Sequence, residues 1–343
     1  ATNAVRMGTL AAINIVENLK KLGDYNCNFH IEASIDKMNI KLLSMLENCQ
    51  DKLFQLEVGI QTTNLKTLRA IGRYNDFEKI AENCQRIIAK GNIHIHTDLI
   101  AGLPFEDYNS FKKSFNEVYS IKAHMLQVGF LKVIPNTRMY EDAEKLEIKY
   151  QSNPPYEVIA TKWISTLELL KIKYVETGVD TFYNNSVFRQ TFNYFDKLRI
   201  DFFEFFQYIG RKIFFRKNFL SISDKFDFLY QVTLEYFNTN LIIYSDEHFL
   251  AVLKLDWYLN LKDKKRPKIF TDELYVDIKN YIGKADNINK YKVIELPFIV
   301  IQNGVDYEIN ENGKVNKYMI DYTTKRSIYD YPLLTLIDSL DQF

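Results

Sequence analysis

The sequence predicts an α/β fold in which a parallel β/α half precedes a mostly helical half. Strand-like and helix-like hydrophobic periods alternate regularly up to about residue 148. Pro154-Pro155 then marks a change to long helical periods rich in aromatic residues, and β-rich stretches follow near the C-terminus. We therefore expect two domains, residues 1–148 and residues 149–343, the second ending in a β-hairpin.

Four strands are expected in the first half, after a helix over residues 1–22. Because a parallel sheet seldom begins with a crossover helix, we expect its first strands to precede Ala1. Asn64 and Asp107 are typical residues to open the helices that follow them, and Gly91 is typical of a helix end. The expected strands are Asn28–Ser34, Leu53–Gln61, Asn92–Ala101 and Met125–Ile134, and the expected helices are Met38–Cys49, Leu65–Lys90 with a break near Tyr74, and Tyr108–Ile121.

Five helices are expected in the second half: Tyr156–Val179, Ser186–Leu198, Asp201–Phe215, Ser223–Phe237 and Asp246–Lys262. We interpret the aromatic stripe of the third as helix-packing core rather than a membrane-facing surface. A β-strand is expected at Val293–Gln302. A hairpin of Tyr307–Asn310 with Lys314–Thr323 is expected because Asn312-Gly313 is a strong signal for a two-residue turn.

Composition excludes several classes of protein. Lys plus Arg equal Asp plus Glu at 44 each, which argues against a dedicated nucleic-acid binder. No apolar run reaches the roughly 20 residues that cross a bilayer, and there is no signal-peptide pattern, so we expect a soluble cytoplasmic protein. Cys27, Cys49 and Cys84 are too widely spaced for a CxxC metal motif, and we interpret them as structural thiols.

Polar residues occupy one face of two expected strands, Phe54–Gln61 and Ile93–Gly102. Parallel strands are normally apolar on both faces, so this pattern predicts a wet or ligand-filled cavity. Functional groups should gather at the C-terminal ends of the strands. Four features fall at or near those ends: Glu32, Gln61, Asp98 and the Pro135-Asn136-Thr137 turn.

Each of these residues also has a purely structural interpretation, and only their joint placement favours a site. Glu32 could cap a helix, Gln61 could hold its own loop, and Asp98 could bridge to His96 or Arg73. We interpret His94 and His96 as hydrogen-bonded interior residues, because no third metal ligand has matching spacing. Gly102, at a tight strand-to-helix turn, should let the backbone approach a ligand closely.

The segments FHIEAS, GIQT, Arg73 and TDLIAGLP occur in an order and spacing that resemble the radical S-adenosylmethionine (SAM) superfamily. The resemblance is to the branch with oxygen-independent coproporphyrinogen oxidase and elongator-like enzymes. It implies that residues 1–148 form the later strands of a partial (β/α)6 barrel. It also implies that Glu32 meets the amino group of SAM, that Gln61 and Asp98 hold the ribose hydroxyls, and that Arg73 pairs with the methionyl carboxylate.

The CxxxCxxC loop, whose three thiolates bind a [4Fe-4S] cluster in that superfamily, is absent from this sequence. We expect it upstream of Ala1, so that this chain is the C-terminal portion of an enzyme, binds no cluster by itself and is inactive alone. In the intact enzyme, the resemblance implies cleavage of SAM to a 5'-deoxyadenosyl radical that attacks a small-molecule substrate. Asn136 also departs from the superfamily, where Gly is common.

Residues from about 150 onward resemble the uncharacterised C-terminal extension of radical SAM proteins that often carry an N-terminal cobalamin-type domain. This leaves cobalamin open as a further cofactor of the intact protein. Some such relatives are labelled anaerobic magnesium-protoporphyrin monomethyl ester cyclases, which leaves a tetrapyrrole-like substrate open.

Two other functions remain as alternatives. The first is a non-catalytic scaffold with a degenerate SAM-like pocket, and a gene that truly begins at Ala1 would favour it. The second is a β/α-barrel hydrolase or lyase that uses Glu57 or Asp98 as a base near His96. That chemistry requires a strongly raised carboxyl pKa.

Overall fold

A computed structural model describes residues 9–22, 27–216, 220–260, 265–271, 291–301, 306–309, 315–326 and 331–336. The chain divides into two compact units, one of Ala1–Asn184 with Asp201–Arg216 and the other of Asn185–Ile200 with Lys217–Phe343. Residue 148 lies inside the first of these units. The domain boundary that we placed there from the sequence stays a prediction.

The first unit is built on a four-stranded parallel sheet in the order β1-β2-β3-β4. The strands are β1 (Phe29–Glu32), β2 (Phe54–Gln61), β3 (His94–Ala101) and β4 (Met125–Phe130). Helix α1 (Thr9–Lys20) precedes β1, and α2 (Ile40–Glu47), α3 (Leu65–Ala70), α4 (Phe77–Ile88) and α5 (Tyr108–Tyr119) connect the strands. The predicted α/β class is therefore confirmed, with each strand beside its successor in the chain.

Short polar side chains begin the connecting helices as predicted. The Asn64 side chain accepts hydrogen bonds from the backbone N–H groups of Lys66 and Thr67 at the start of α3, and Asp107 accepts one from Ser110 at the start of α5. The expected helix Leu65–Lys90 is two helices, because Asp76 opens α4 after a loop. This is the break predicted near Tyr74.

The segment after β4 differs from its prediction. It forms α6 (Arg138–Asp142) and two short antiparallel strands, β5 (Lys149–Tyr150) and β6 (Val158–Ala160), before α7 (Thr166–Gly178). The helix expected at Tyr156–Val179 therefore begins at Thr166, ten residues later than predicted. A capping box of Ser165 and Glu168 fixes its true start.

Helix α9 (Phe202–Phe214) belongs to the first unit and packs against α5 and α7. Four of its aromatic side chains, Phe202, Phe203, Phe205 and Phe206, are buried, whereas Phe214 at its end is exposed. The Phe202 ring stacks on Tyr119 of α5 with ring centroids 4.0 Å apart. This agrees with the packing interpretation of the aromatic stripe. Among the described residues, no helix is long and apolar enough to cross a membrane.

The second unit contains α8 (Arg189–Lys197), α10 (Ile222–Thr239) and α11 (Asp246–Asn260). Its strands are β7 (Tyr291–Leu296), β8 (Phe298–Ile301), β9 (Asp306–Ile309), β10 (Asn316–Arg326) and β11 (Tyr331–Leu336). The sheet orders are β11-β10-β7 and β8-β9.

The predicted hairpin of Tyr307–Asn310 with Lys314–Thr323 is wrong, because β9 pairs with β8 while β10 pairs with β7 and β11. The Asn312-Gly313 turn on which it was based lies outside the described residues. Tyr318 and Ile320 of β10 are buried, as are Val293 and Ile294 of β7. Burial of these apolar side chains favours the long-range pairing over a local hairpin.

Candidate functional site

A cavity of about 190 Å³ lies at the C-terminal ends of β1, β2 and β3. The four residues that the sequence singled out, Glu32, Gln61, Arg73 and Asp98, all line it. The rest of its lining is Ala33, Ser34, Ile35, Asp36, Glu57, Val58, Gly59, Asn75 and Ile80. The Pro135-Asn136-Thr137 turn is not part of this lining, although Asn136 does adopt the left-handed backbone (φ 64°) that Asn tolerates.

Gln61 enters the cavity through an irregular strand end. Gly59 pairs with Asp98 and Gln61 pairs with Leu99, so that β2 has one extra residue at this point. Gln61 has a φ of 70°, and its side chain lies over Gly59, where an added Cβ would be 2.6 Å from Gln61 Nε2. The Gln61 side chain is buried, and its Oε1 has no hydrogen-bond partner. The missing side chain at Gly59 therefore makes room for the Gln61 amide.

Two residues between α3 and α4 hold this strand end in place. Arg73 Nη1 donates a hydrogen bond to the Gly59 carbonyl at 3.0 Å, and Asn75 Nδ2 donates one to the Ile60 carbonyl at 2.9 Å. The guanidinium has five N–H donors, so one bond to Gly59 leaves capacity for a ligand carboxylate. Asn75 was not predicted, since nothing in its local sequence distinguishes it from an ordinary loop residue.

Asp98 is the most perturbed carboxyl group of the cavity. Burial raises its pKa to about 7, Glu57 and Glu32 add to the rise, and Arg73 opposes it. Asp98 Oδ1 is buried without a hydrogen-bond partner. The cavity thus holds two buried oxygen acceptors, on Asp98 and on Gln61, that have no donor within the described protein. A pair of ligand hydroxyl groups would satisfy both.

A row of histidines lies on the same sheet, nearer the N-terminal ends of the strands. His30 Nε2 contacts Glu57 Oε2 at 2.9 Å, and the His96 ring lies 5.8 Å from His30 and 4.8 Å from His94, centroid to centroid. Burial lowers the pKa of His96, and so does His30. His124 Nδ1 accepts a hydrogen bond from Ile95 N at 3.0 Å. Within the described ranges, no three His, Cys, Asp or Glu side chains are placed to hold a metal ion.

Gly102 lies against strand β6 and is absent from the cavity lining, and its close approach to a ligand stays a prediction. Its φ of 85° suits glycine, but an added Cβ would lie 2.7 Å from Val158 Cγ1. Gly102 is thus required for the contact between the end of β3 and strand β6, and it is not part of the cavity lining. The sequence showed the tight turn but not which segment approaches it.

The three cysteines differ in exposure. Cys27 is exposed, whereas Cys49 and Cys84 are buried. Burial raises the pKa of Cys49 to about 11 and that of Cys84 to about 12. Because a thiolate is the form that binds metal, these two buried thiols do not suit a cluster.

A buried polar cluster next to the cavity was not predicted from the sequence. Glu106, in the loop after β3, accepts a short hydrogen bond from Thr62 Oγ1 and another from Ser114 Oγ at 3.3 Å. Ser114 Oγ accepts one from the backbone of Thr63 at 3.1 Å. Burial raises the pKa of Glu106 to about 7, against these hydrogen bonds. The cluster links Thr62, the residue after Gln61, to Glu106 in the loop that precedes α5.

We expect Glu106 to make stability depend on pH. Its pKa is raised from 4.5 to about 7, so the folded protein holds a proton there that the unfolded chain releases. The free energy of unfolding should therefore fall as pH rises from 4.5 to about 7 and then level off, by up to about 3 kcal/mol. Urea denaturation at several pH values between 4.5 and about 7 would measure this fall in the free energy of unfolding. Glu106→Gln should remove that part of the slope and the exposed Glu144→Gln should keep it; equal slopes in both variants would contradict the prediction.

Comparison with known proteins gives sequence relatives for part of the chain. It is 28% identical over 138 residues to the heme chaperone HemW of Bacillus subtilis (strain 168), covering 39% of this chain and 36% of HemW. It is 33% identical over 98 residues to the cobalamin-dependent radical SAM methyltransferase TokK of Streptomyces tokunonensis, covering 28% of this chain and 14% of TokK. The chain thus spans about a third of HemW's length and about a seventh of TokK's.

Among solved structures, coproporphyrinogen III oxidase (HemN) from Escherichia coli, a radical SAM enzyme, is 21% identical with a TM-score of 0.35, over 46% of this chain and 35% of HemN. The motifs at the cavity and the relative TokK indicate the class of protein: the β/α half is similar to that of radical SAM proteins. The chain belongs to the family described as "Protein of unknown function (DUF4080)", whose profile matches residues 144–324.

Proposed function

We propose that this chain forms the nucleoside-holding part of the SAM site in a radical SAM enzyme. The observation that carries the proposal is the pair of buried, unpartnered acceptors, Gln61 Oε1 and Asp98 Oδ1, at one cavity. The two hydroxyl groups of a ribose are donors of the number and kind that these atoms lack. The fit rests on the chain's own geometry and agrees with the roles that the sequence resemblance implies.

The charged residues of the cavity suit the rest of SAM. Arg73 would pair with the methionyl carboxylate through its planar fork of donors, and Glu32 would accept from the ammonium group. Carboxyl groups outnumber the single arginine in the lining, so the cavity is acidic. An acidic cavity complements a ligand that carries both a sulfonium and an ammonium charge.

One electron from a [4Fe-4S] cluster of the intact enzyme would split bound SAM into methionine and a 5'-deoxyadenosyl radical, which would take a hydrogen atom from the substrate. The residues of this chain would bind the nucleoside, fix its orientation and keep water away from it. The cysteines described here do not fit a [4Fe-4S] cluster, and we assign them no step. We propose a small-molecule substrate in the cytoplasm, and the names of HemW and TokK support heme-related or cobalamin-dependent chemistry in the intact protein.

The proposal predicts that SAM affinity depends on the two acceptors. We expect Asp98→Ala and Gln61→Ala each to weaken SAM binding to the full-length protein by about 10- to 100-fold, since each loses a buried hydrogen bond to the ribose. Isothermal titration calorimetry under anaerobic conditions measures this. Asp51→Asn, at an exposed residue away from the cavity, should bind as the wild type does. Failure of the wild type to bind SAM, or unchanged affinity in both alanine variants, would refute the proposal.

One observation favours a second function, a hydrolase or lyase that uses Asp98 as a general base. That function requires a strongly raised carboxyl pKa near a histidine, and burial does raise the pKa of Asp98 to about 7. The same titration separates the two functions. A hydrolase or lyase of this kind should show no affinity for SAM.

A further inference from the structure

Glu57 and Asp98 lie on adjacent strands and line the same cavity. Gly59 pairs with Asp98 and Glu57 pairs with His96, so the two carboxyl groups are two residues apart along the same face of the sheet. Glu57 raises the pKa of Asp98 by its negative charge and by a hydrogen bond between the two side chains. Two ionised carboxylates are both acceptors and cannot hydrogen-bond, so this contact requires a proton between them.

The charged groups around Glu57 and Asp98 favour retention of one proton by this pair of carboxyl groups. Asp98 faces Glu32 on β1, Glu57 on β2 and Arg73 after α3, and the residue opposite it on β4 is the neutral Gln127. Negative charge therefore predominates around the pair, with Arg73 as the one opposing cation among these groups. Burial and Glu57 together raise the pKa of Asp98 to about 7.

Glu57 also has histidine neighbours on the two adjacent strands, β1 and β3. His30 Nε2 lies 2.9 Å from Glu57 Oε2, and His96 is the register partner of Glu57 on β3. The imidazole of His30 can donate to Glu57 whether or not the shared proton is present. The pair can therefore lose its proton without leaving Glu57 unpartnered, while Asp98 Oδ1 stays open toward the cavity.

We propose that Glu57 is a positioning residue that shares one proton with Asp98, and that binding of the SAM ribose expels this proton. The inference rests on the proposed function, because the hydroxyl donors are those of SAM. A ribose hydroxyl that donates to Asp98 stabilises its ionised form, and the sulfonium and ammonium groups compensate the added negative charge. The proton passes to the buffer, no other bond is made or broken, and nothing is oxidised or reduced.

The test is calorimetric titration of the full-length protein with SAM, handled anaerobically, in buffers of different ionisation enthalpy between pH 5.5 and 7. In this range the SAM amino group stays protonated, since α-amino groups titrate at about 7.7–8.0. We expect release of about half a proton at pH 7 and nearly one at pH 5.5. The affinity should rise about tenfold from pH 5.5 to 7.

Two variants test whether the released proton comes from the Glu57–Asp98 pair. In Glu57→Gln the negative charge of Glu57 is gone and the amide can donate to Asp98, so SAM should still bind but release clearly less than the half proton of the wild type at pH 7. In His30→Gln the carboxyl pair is intact, so release should continue; the exposed Glu144→Gln serves as control. Binding without proton release in the wild type, or unchanged release in Glu57→Gln, would overturn the inference and leave the proposed function standing. Absence of SAM binding in the wild type would overturn both.

Discussion

Gly210→Ala should destabilise the first unit by about 3 kcal/mol or more, enough to unfold a domain of ordinary stability at moderate temperature. Gly210 of α9 lies directly against α7, where an added Cβ would overlap the Tyr174 carbonyl oxygen and lie 2.9 Å from Gly178 N. Those atoms belong to the backbone, so no side-chain rotation relieves the overlap. The two helices would have to separate, which would disturb the packing of Phe202 and its neighbours against α5.

Urea denaturation followed by circular dichroism measures this loss. Gly178→Ala should act in the same direction, because its Cβ would lie 2.5 Å from the Phe206 carbonyl oxygen. Gly129→Ala is the matched control, since its nearest neighbour, the Leu99 carbonyl oxygen, would be at an ordinary contact distance of 3.5 Å. If Gly210→Ala and Gly129→Ala unfolded at the same urea concentration, the proposed close helix crossing would be wrong.

The contact between α7 and α9 shows what the sequence could not supply. Gly178 and Gly210 are 32 residues apart and look like ordinary helix residues, because no local pattern states which helix approaches which. The parallel sheet was predictable to within a few residues, since each strand alternates apolar and polar residues and residues such as Asn64 mark the helix starts. Local signals thus predicted the elements, whereas contacts between distant elements required the structure.

The two incorrect predictions, the start of α7 and the partners of β9 and β10, have different causes. The apolar residues around Val158 also fit a helical period, so the sequence predicts a start of α7 that is too early, whereas the capping box at Ser165 marks the true start. The predicted pairing of Tyr307–Asn310 with Lys314–Thr323 was wrong because a turn signal describes only its own few residues. The partners of β10 are set by which faces become buried, as the pairing of β10 with β7 shows.

Convergence of the site residues was predictable because parallel strands share a C-terminal edge, and Gln61 and Asp98 occupy that edge. The details that give the site its chemistry were not predictable. The left-handed backbone of Gln61 depends on an extra residue in β2, and the Glu57–Asp98 contact depends on strand register. The bond between Glu106 and Thr62 joins residues 44 positions apart in the chain.

Asp256→Ala should destabilise the second unit by about 3 to 5 kcal/mol. Asp256 of α11 is completely buried and accepts hydrogen bonds from Gln190 N at 2.9 Å, Thr191 N at 2.9 Å and Thr191 Oγ1 at 2.7 Å. These donors lie at the start of α8, whose own N-cap residue, Phe188, makes no side-chain capping bond. Asp256 therefore caps α8 from another helix, and alanine would remove the acceptor of all three bonds.

Hydrogen exchange read by mass spectrometry localises the effect. Asp256→Ala should lose protection in Arg189–Lys197 and in Asp246–Asn260, while β2 and β3 of the first unit keep theirs. Thr191→Val removes one donor and leaves both backbone bonds to Asp256, so it should cost only about 1 kcal/mol. Glu247→Ala, at an exposed carboxylate on the same helix, should change protection little. Equal protection in Asp256→Ala and Glu247→Ala would show that α8 does not depend on a cap from α11.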